Sequence, residues 1–231
     1  MRYNDYHGEV KHDPKTGKES HLDEQLRNYF PDPNFKGVIF DVGAFEPIRI
    51  SNSYHFEMNG WDSYCFEANT DGIPLLKQYR KNVFNYAISN ENKAETTFHV
   101  VVLDWHGGNW TASYSAIEIS KLYKVVFGWD ESRKVKQIKV PQKTLTTVIE
   151  EEIPNVKSID IMSLDIEGGE LDCLKGLDLI RYDPKVILLE NATPWDKSIQ
   201  EYLESFGYTL DCQHEYNQFF ISKNYKVMSG K

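Results

Sequence analysis

The feature that most constrains the fold of this chain is a regular alternation of strand-like and helix-like segments after Gly37. Short apolar runs rich in β-branched and aromatic residues occur at 38–42, 63–66, 83–88, 159–165 and 186–190. Between most of them, apolar residues recur at helical spacing, over 52–59, 73–81, 145–152, 170–177 and 198–206. Strands that alternate with helices pair in parallel through right-handed crossovers. The sequence therefore predicts a doubly wound α/β sheet.

Two regions depart from this alternation. Residues 96–103 and 135–140 are predicted to be strands with no helix between them, and they flank an insertion around 104–134 that we expect on the substrate side. Residues 208–212 and 218–222 are too close together for a crossover helix, which predicts an antiparallel hairpin. The expected result is a Rossmann-like, mostly parallel, seven-stranded sheet with a C-terminal hairpin, the arrangement typical of class I methyltransferases.

The N-terminal region differs from the rest of the chain because it is polar and charged. We interpret residues 1–19 as a loose arm and residues 20–231 as a single domain, since a chain of this length can bury one full core. Ser20 and Asp23 resemble a capping box, which predicts a short amphipathic helix directly after the arm.

Composition argues against several classes of protein. A formal net charge of -9 does not fit a broad nucleic-acid surface, which needs a basic face. Cys65, Cys173 and Cys212 show no C-x-x-C spacing, so neither a disulfide framework nor a zinc cluster is expected. No long apolar run and no signal-peptide stretch is present, so we expect a cytoplasmic protein with no membrane partner.

The loop after the first strand, DVGAFEP from Asp41, should line the crevice where open α/β sheets bind ligands. A pyrophosphate requires bare backbone and therefore a G-x-G-x-x-G pattern, but this loop contains only Gly43. The loop fits S-adenosylmethionine, which has no pyrophosphate. Gly43 would allow a tight turn beside its methionyl part, and Asp41 or Glu46 would face its ammonium group.

Further cofactor contacts are predicted on the elements that follow. Asn52 and Ser53, near the start of the next helix, can offer donors to the carboxylate of the cofactor. Glu67 ends the second strand, where an acidic side chain would accept hydrogen bonds from both ribose hydroxyls. The remaining predicted contacts, including the adenine side at the third strand, are Ala44, Ala68, Tyr86 and Ala87.

Four blocks of the sequence resemble the FkbM family of S-adenosylmethionine-dependent methyltransferases. In chain order they are GVIFDVGAFEP, SNSYHFEMNGWDSYCFEAN, NYAIS and MSLDIEGGELDCLKGL. The resemblance implies O-methylation of a hydroxyl, commonly on a sugar of a glycan, a glycolipid or a natural product. It also implies that Asp41, Gly43 and Glu67 bind the cofactor and that Asp165 and Glu167 face its reacting end. Family members usually carry a lysine where this chain has Ser163.

Methyl transfer to a sugar hydroxyl needs a general base, because the pKa of the hydroxyl is high. Asp165, at the end of the fourth strand, and Glu167 are candidates for the base or an acceptor anchor, although Glu167 could instead only cap the next helix. His106 is a third candidate, because a histidine in a loop titrates near neutral pH. A metal mechanism stays open, since Asp165, Glu190 and Asn191 offer oxygen ligands for magnesium.

The leading hypothesis is an S-adenosylmethionine-dependent O-methyltransferase that acts on a saccharide or another small hydroxylated acceptor. Its partner would be a small molecule or a glycan, and formation of a homodimer stays open. One alternative is a methyltransferase for nitrogen, protein or nucleic-acid acceptors. The other is a non-catalytic nucleoside-binding regulatory domain, which Ser163 favours. The missing glycines argue against a dehydrogenase.

Overall fold

The computed structural model describes residues 5–13, 17–105, 108–111, 115–117 and 134–226. The strands in this part of the chain are β1 (Val10–Asp13), β2 (Lys18–His21), β3 (Val38–Val42), β4 (Asp62–Phe66), β5 (Asn82–Phe84), β6 (Ala87–Ile88), β7 (Lys93–Trp105), β8 (Gly108–Thr111), β9 (Lys134–Lys143), β10 (Ile161–Leu164), β11 (Val186–Glu190), β12 (Tyr208–His214) and β13 (Asn217–Ser222). The helices are α1 (Leu22–Tyr29), α2 (Tyr54–Met58), α3 (Ile73–Tyr79), α4 (Leu145–Glu152), α5 (Glu170–Lys175), α6 (Leu179–Tyr182) and α7 (Ser198–Ser205). None of these described helices is long and apolar enough to cross a membrane.

Seven strands form the central sheet, in the spatial order β12, β13, β11, β10, β3, β4, β5. The five strands from β11 to β5 pair in parallel, and β13 pairs antiparallel with both β11 and β12. The predicted α/β class with a mostly parallel sheet is confirmed. The strand order reverses between β3 and β10, and ligands of open α/β sheets bind beyond the carboxyl ends at such a point.

Both faces of the central sheet are buried, because alternate residues of each strand point to opposite faces. On one face, Phe40 and Val42 belong to an apolar core that also contains residues of α4, α5, α6 and α7. On the other face, Ile39 and Ile161 pack with α1 and α2. Trp61, just before β4, closes this second core by packing edge-on against Phe56, with ring centroids 4.8 Å apart.

A second sheet of four strands, in the order β6, β9, β7, β8, stands beside the central sheet. The single strand predicted over 83–88 is divided between the two sheets, since β5 pairs with β4 and β6 pairs with β9. Between these two pieces, the side-chain amide of Asn85 donates to the carbonyl oxygens of Glu67 and Ala68, in place of a backbone ladder. Most of the predicted insertion around 104–134 lies outside the described residues.

The N-terminal region is ordered where it is described, so the prediction of a loose arm over 1–19 is wrong there. β1 and β2 pair antiparallel. The carboxylate of Asp23 accepts hydrogen bonds from the backbone N–H groups of His7 (2.7 Å) and Gly8 (2.9 Å). The capping box predicted for Ser20 and Asp23 is wrong as well, because α1 begins after His21 without a side-chain cap.

Candidate active site

A cavity of about 280 Å³ opens at the carboxyl ends of β3, β4 and β10. One wall is contributed by the second sheet and by residues 115–117. The acidic side chains among the lining residues are Asp41, Glu46, Glu67, Asp165, Glu167 and Asp172. No lysine, arginine or histidine occurs among the lining residues in the described part of the chain. The charge of the cavity therefore favours a ligand that carries positive charge.

Gly43 lies where β3 leads into the cavity, and its backbone has a φ of +90°. A Cβ atom at this position would collide with the carbonyl oxygen of Asp165. The backbone N–H groups of Gly43 and Ala44 both donate to the carbonyl oxygen of Phe66, at 2.9 and 3.2 Å. The single glycine is therefore required by a left-handed backbone and by the close approach of the loops after β3 and β10.

Asp41 lines the cavity, and the hydroxyl groups of two serines donate hydrogen bonds to its carboxylate. Its Oδ2 atom accepts hydrogen bonds from the hydroxyls of Ser53 and, at 3.4 Å, Ser51. Burial raises the pKa of Asp41, although the positive charge of Arg80 acts in the opposite direction. Ser53 itself is fully buried and is not among the lining residues. The predicted contact of Ser53 with a cofactor carboxylate is therefore not supported.

Asn52 and Glu46, two further predicted cofactor contacts, line the cavity but already have protein partners. The amide nitrogen of Asn52 donates to the hydroxyl of Ser163 at 3.1 Å. The Oδ1 atom of Asn52 is buried without a hydrogen-bond partner. Glu46 accepts a hydrogen bond from Nε of Arg49 at 3.0 Å, which leaves it less suited to bind an ammonium group than Asp41.

Glu67 follows β4 and connects two loops of the cavity. Its carboxylate accepts hydrogen bonds from the backbone N–H groups of Phe45 (2.9 Å) and Asn69 (2.6 Å), one on each oxygen. Because each carboxylate oxygen can accept more than one hydrogen bond, both retain capacity for ligand hydroxyls. Burial raises the pKa of Glu67 to about 7, so the charge of this side chain changes near neutral pH.

The wall beside β6 is apolar. Ala44, Ala68, Tyr86 and Ala87, all predicted from the sequence, line the cavity. Ala68 and Ala87 belong to one apolar cluster with Phe98 of β7, which also lines the cavity. Phe98 was not predicted, because its strand was expected only to flank the insertion, and the sequence gives no signal that Phe98 reaches the cavity.

Asp165 lies beside Glu190 because β10 and β11 end at the same level, with Leu164 paired to Leu189. The two carboxyl groups share a hydrogen bond. The side chain of Asp165 faces the open cavity. The pKa of its carboxyl group is nevertheless raised, first by desolvation among the surrounding protein atoms and then by the negative charge of Glu190. The pKa of Glu190 is raised by burial as well. The pair therefore favours a state with one shared proton.

Glu167 lines the cavity with a φ of +60°. Burial raises its pKa to about 9, and the negative charges of Glu190 and Glu170 contribute to this shift. The carboxylate that binds the turn before α5 belongs to Glu170, which accepts hydrogen bonds from the backbone N–H groups of Ile166 (3.1 Å) and Gly168 (3.1 Å). Glu167 is thus neutral at pH 7 and does not cap α5.

The predicted magnesium ligands lie at or just after the ends of β10 and β11, where Asp165 and Glu190 share a hydrogen bond. The side-chain oxygen of Asn191 accepts hydrogen bonds from the N–H (3.0 Å) and the hydroxyl (3.3 Å) of Thr193, so it is already used. Among the described residues, no group of three or more His, Cys, Asp or Glu side chains could hold a metal ion. The predicted set contains only two such side chains and the amide of Asn191, so magnesium binding by Asp165, Glu190 and Asn191 stays a prediction. His106 lies outside the described residues.

A comparison with protein families identifies the family of this chain. The model of the methyltransferase FkbM domain matches residues 41–216, which is more than half of the chain. The chain belongs to the FkbM methyltransferase family. All described lining residues of the cavity fall within the FkbM match, whereas the N-terminal hairpin and α1 precede it. Comparisons with curated proteins and with solved structures give no match.

Proposed function

We propose that this protein is a class I, S-adenosylmethionine-dependent O-methyltransferase whose acceptor is a hydroxyl of a saccharide or of another small hydroxylated molecule. The observation that carries the proposal is the acid-lined cavity at the point of strand-order reversal, inside the region that matches the FkbM domain. S-adenosylmethionine carries a net positive charge and supplies a reactive methyl group on its sulfonium. A cavity with acidic and no basic lining residues in its described part suits such a ligand.

The residues present fit the parts of this methyl donor. Asp41 offers a carboxylate for the ammonium group. Glu67 keeps acceptor capacity for two ribose hydroxyls. The apolar wall formed by Ala87 and Phe98 suits the adenine ring.

The Asp165–Glu190 pair is suited to receive the proton of the acceptor hydroxyl. Asp165 is the member that lines the cavity, and Glu190 can accept a proton through the hydrogen bond between them. Positive charge in the cavity favours ionisation of the pair, which prepares it to act as a base. Glu167 keeps its own proton at neutral pH, which suits a hydrogen bond to the acceptor rather than proton abstraction.

Isothermal titration calorimetry tests the donor. We expect the wild-type protein to bind S-adenosylmethionine and S-adenosylhomocysteine but not NAD. Glu67→Gln should weaken both nucleosides about tenfold or more, because hydrogen bonds to a charged acceptor contribute about 1.5–3 kcal/mol. The control Glu19→Gln makes the same change at an exposed position of β2 and should leave both affinities unchanged. Binding of NAD alone would refute the proposal.

The acceptor is tested with a radiolabelled methyl donor and fractionated glycans. Incorporation into an alkali-stable ether is the expected result. Transfer to amines would support the nitrogen alternative, and donor binding without transfer to any fraction would support a regulatory nucleoside-binding domain. Either of these results would contradict O-methylation.

A further inference from the structure

Arg80 is buried beneath the loop after β3, outside the cavity. Its side chain has 0% of its surface exposed, and it is not among the lining residues. Arg80 follows the last residue of α3, and its backbone N–H donates to the carbonyl oxygen of Leu76. Burying a guanidinium group is unfavourable unless it is paired and its N–H groups are satisfied. Arg80 is paired with the carboxylate of Glu57.

The guanidinium group donates hydrogen bonds to oxygens from three parts of the chain. These are α2, the loop between β3 and α2, and β4. The acceptors are Glu57 Oε2 (2.7 Å), Pro47 O (3.2 Å), Ser51 Oγ (3.1 Å), Ser53 Oγ (2.6 Å) and Ser63 Oγ (2.9 Å). Arg80 therefore fixes the loop that forms one wall of the cavity to the strand next to it.

Two of the three serines connect Arg80 to Asp41. A hydroxyl has one hydrogen, so a serine whose oxygen accepts from Arg80 keeps that hydrogen for another acceptor. Ser53 and Ser51 direct theirs to Oδ2 of Asp41. Ser63 accepts from Arg80 in the same way but makes no such bond to Asp41 within the described structure.

This arrangement occupies one oxygen of Asp41 and leaves the other without a hydrogen bond from the described protein. Because Asp41 lines the cavity, Oδ1 is the oxygen left for a ligand there. The charges agree with this geometry. Arg80 carries one positive charge, whereas its neighbours Glu57 and Asp41 carry two negative charges when ionised, so one negative charge remains for a ligand.

We propose that Arg80 is a positioning residue for donor binding, which acts through Ser51 and Ser53 to hold Asp41 with its Oδ1 atom toward the donor's ammonium group. This inference rests on the proposed function, because it assumes that the cavity binds S-adenosylmethionine. It goes beyond that function because it assigns a role to a residue that does not touch the ligand.

The test compares two ligands that differ in the part that Asp41 would bind. S-adenosylmethionine carries the ammonium group, and 5′-methylthioadenosine has the same nucleoside with no amino-acid part and an uncharged thioether in place of the sulfonium, so each ligand is compared with its own wild-type Kd. In Ser53→Ala, we expect the Kd of S-adenosylmethionine to rise about tenfold, as expected for weakening one charge-assisted contact. The Kd of 5′-methylthioadenosine should stay at its wild-type value. Titration calorimetry measures both.

Ser63→Ala is the matched control, because it removes a hydrogen bond from Arg80 without removing a bond to Asp41. Both ligands should bind this variant as they bind the wild type. Arg80→Lys is a second variant that keeps the positive charge but loses the planar fork of donors, so it should show the same selective loss. Circular dichroism and thermal melting establish that each variant is folded.

The outcomes separate this inference from the proposed function. An equal loss of both ligands in Ser53→Ala would indicate a distorted cavity and overturn the positioning role. An unchanged Kd of S-adenosylmethionine would overturn it too. If the wild-type protein binds neither ligand, the proposed function fails, and the inference fails with it.

Discussion

At the scale of single residues, the cavity depends on backbone contacts that allow no side chain. Gly43 has a φ of +90°, and a Cβ atom there would collide with the carbonyl oxygen of Asp165. Gly168 has a similar φ of +102°, but a Cβ atom there would meet nothing within 4 Å. The two glycines therefore separate the effect of a left-handed backbone from the effect of a close approach between β3 and β10.

The first prediction compares Gly43→Ala with Gly168→Ala. Gly168→Ala should lower the free energy of unfolding by about 1–2 kcal/mol, the cost of a left-handed conformation for alanine. Gly43→Ala should lower it by about 2–5 kcal/mol, because overpacking adds about 1–3 kcal/mol. Urea denaturation measures both values. Equal losses of unfolding free energy in the two variants would show that the close approach to Asp165 does not affect stability.

The sequence identified cavity residues at the ends of strands, but it did not identify the buried polar residues that hold them in place. Asp41, Gly43, Glu67 and Asp165 were selected because each lies at or just after the end of an apolar strand, and all four line the cavity. The sequence did not single out Arg80, because a charged residue near the end of a predicted helix is usually exposed to solvent. Only the tertiary structure shows that it is buried.

At the scale of elements, local periodicity located segments better than it located their partners. Residues 38–42 and 145–152 form β3 and α4 with the bounds predicted from the sequence. The strand predicted over 83–88 instead serves two sheets, since pairing depends on neighbours that periodicity does not encode. The N-terminal hairpin was missed because its polar composition resembles that of a disordered arm.

The second prediction concerns how the N-terminal segment is attached to α1. Asp23 is buried, and its carboxylate accepts hydrogen bonds from the N–H groups of His7 and Gly8. In Asp23→Ala these two groups lose their acceptor, so their hydrogen exchange should become at least about tenfold faster. Glu24→Ala, at the next position of α1, is the control and should leave both rates unchanged. Unchanged exchange in Asp23→Ala would mean that other contacts hold the segment.

At the scale of the whole molecule, burial has raised the pKa values of many carboxyl groups at once. The pKa rises to about 6 for Asp23, about 7 for Glu67 and Glu170, and about 9 for Glu167. Burial is the first cause in each case, and two of these four groups, Glu67 and Glu167, line the cavity. The ligand-free site is therefore least stable when fully ionised, and a positively charged ligand would relieve this cost.

The third prediction follows from the sign of these shifts. A group with a raised pKa binds its proton more tightly in the folded state, so its contribution to stability is complete below the unfolded pKa and is lost as the pH rises through the folded one. For Glu67 and Glu170 this range runs from 4.5 to about 7, and for Glu167 from 4.5 to about 9. The melting temperature of the ligand-free protein should therefore fall between about pH 5.5 and pH 9.

Glu167→Gln tests the largest of these four pKa shifts, because glutamine stays neutral at every pH. The variant should become increasingly more stable than the wild type as the pH rises, with a gap of several degrees at about pH 9, since about 1 kcal/mol corresponds to about 2–4 °C in a chain of this size. Glu19→Gln removes the same charge from an exposed position and separates this effect from general charge repulsion. Differential scanning calorimetry across the pH series provides the measurement. A constant gap, or an equal gap in Glu19→Gln, would show that the Glu167 carboxyl group is solvated and does not carry the raised pKa.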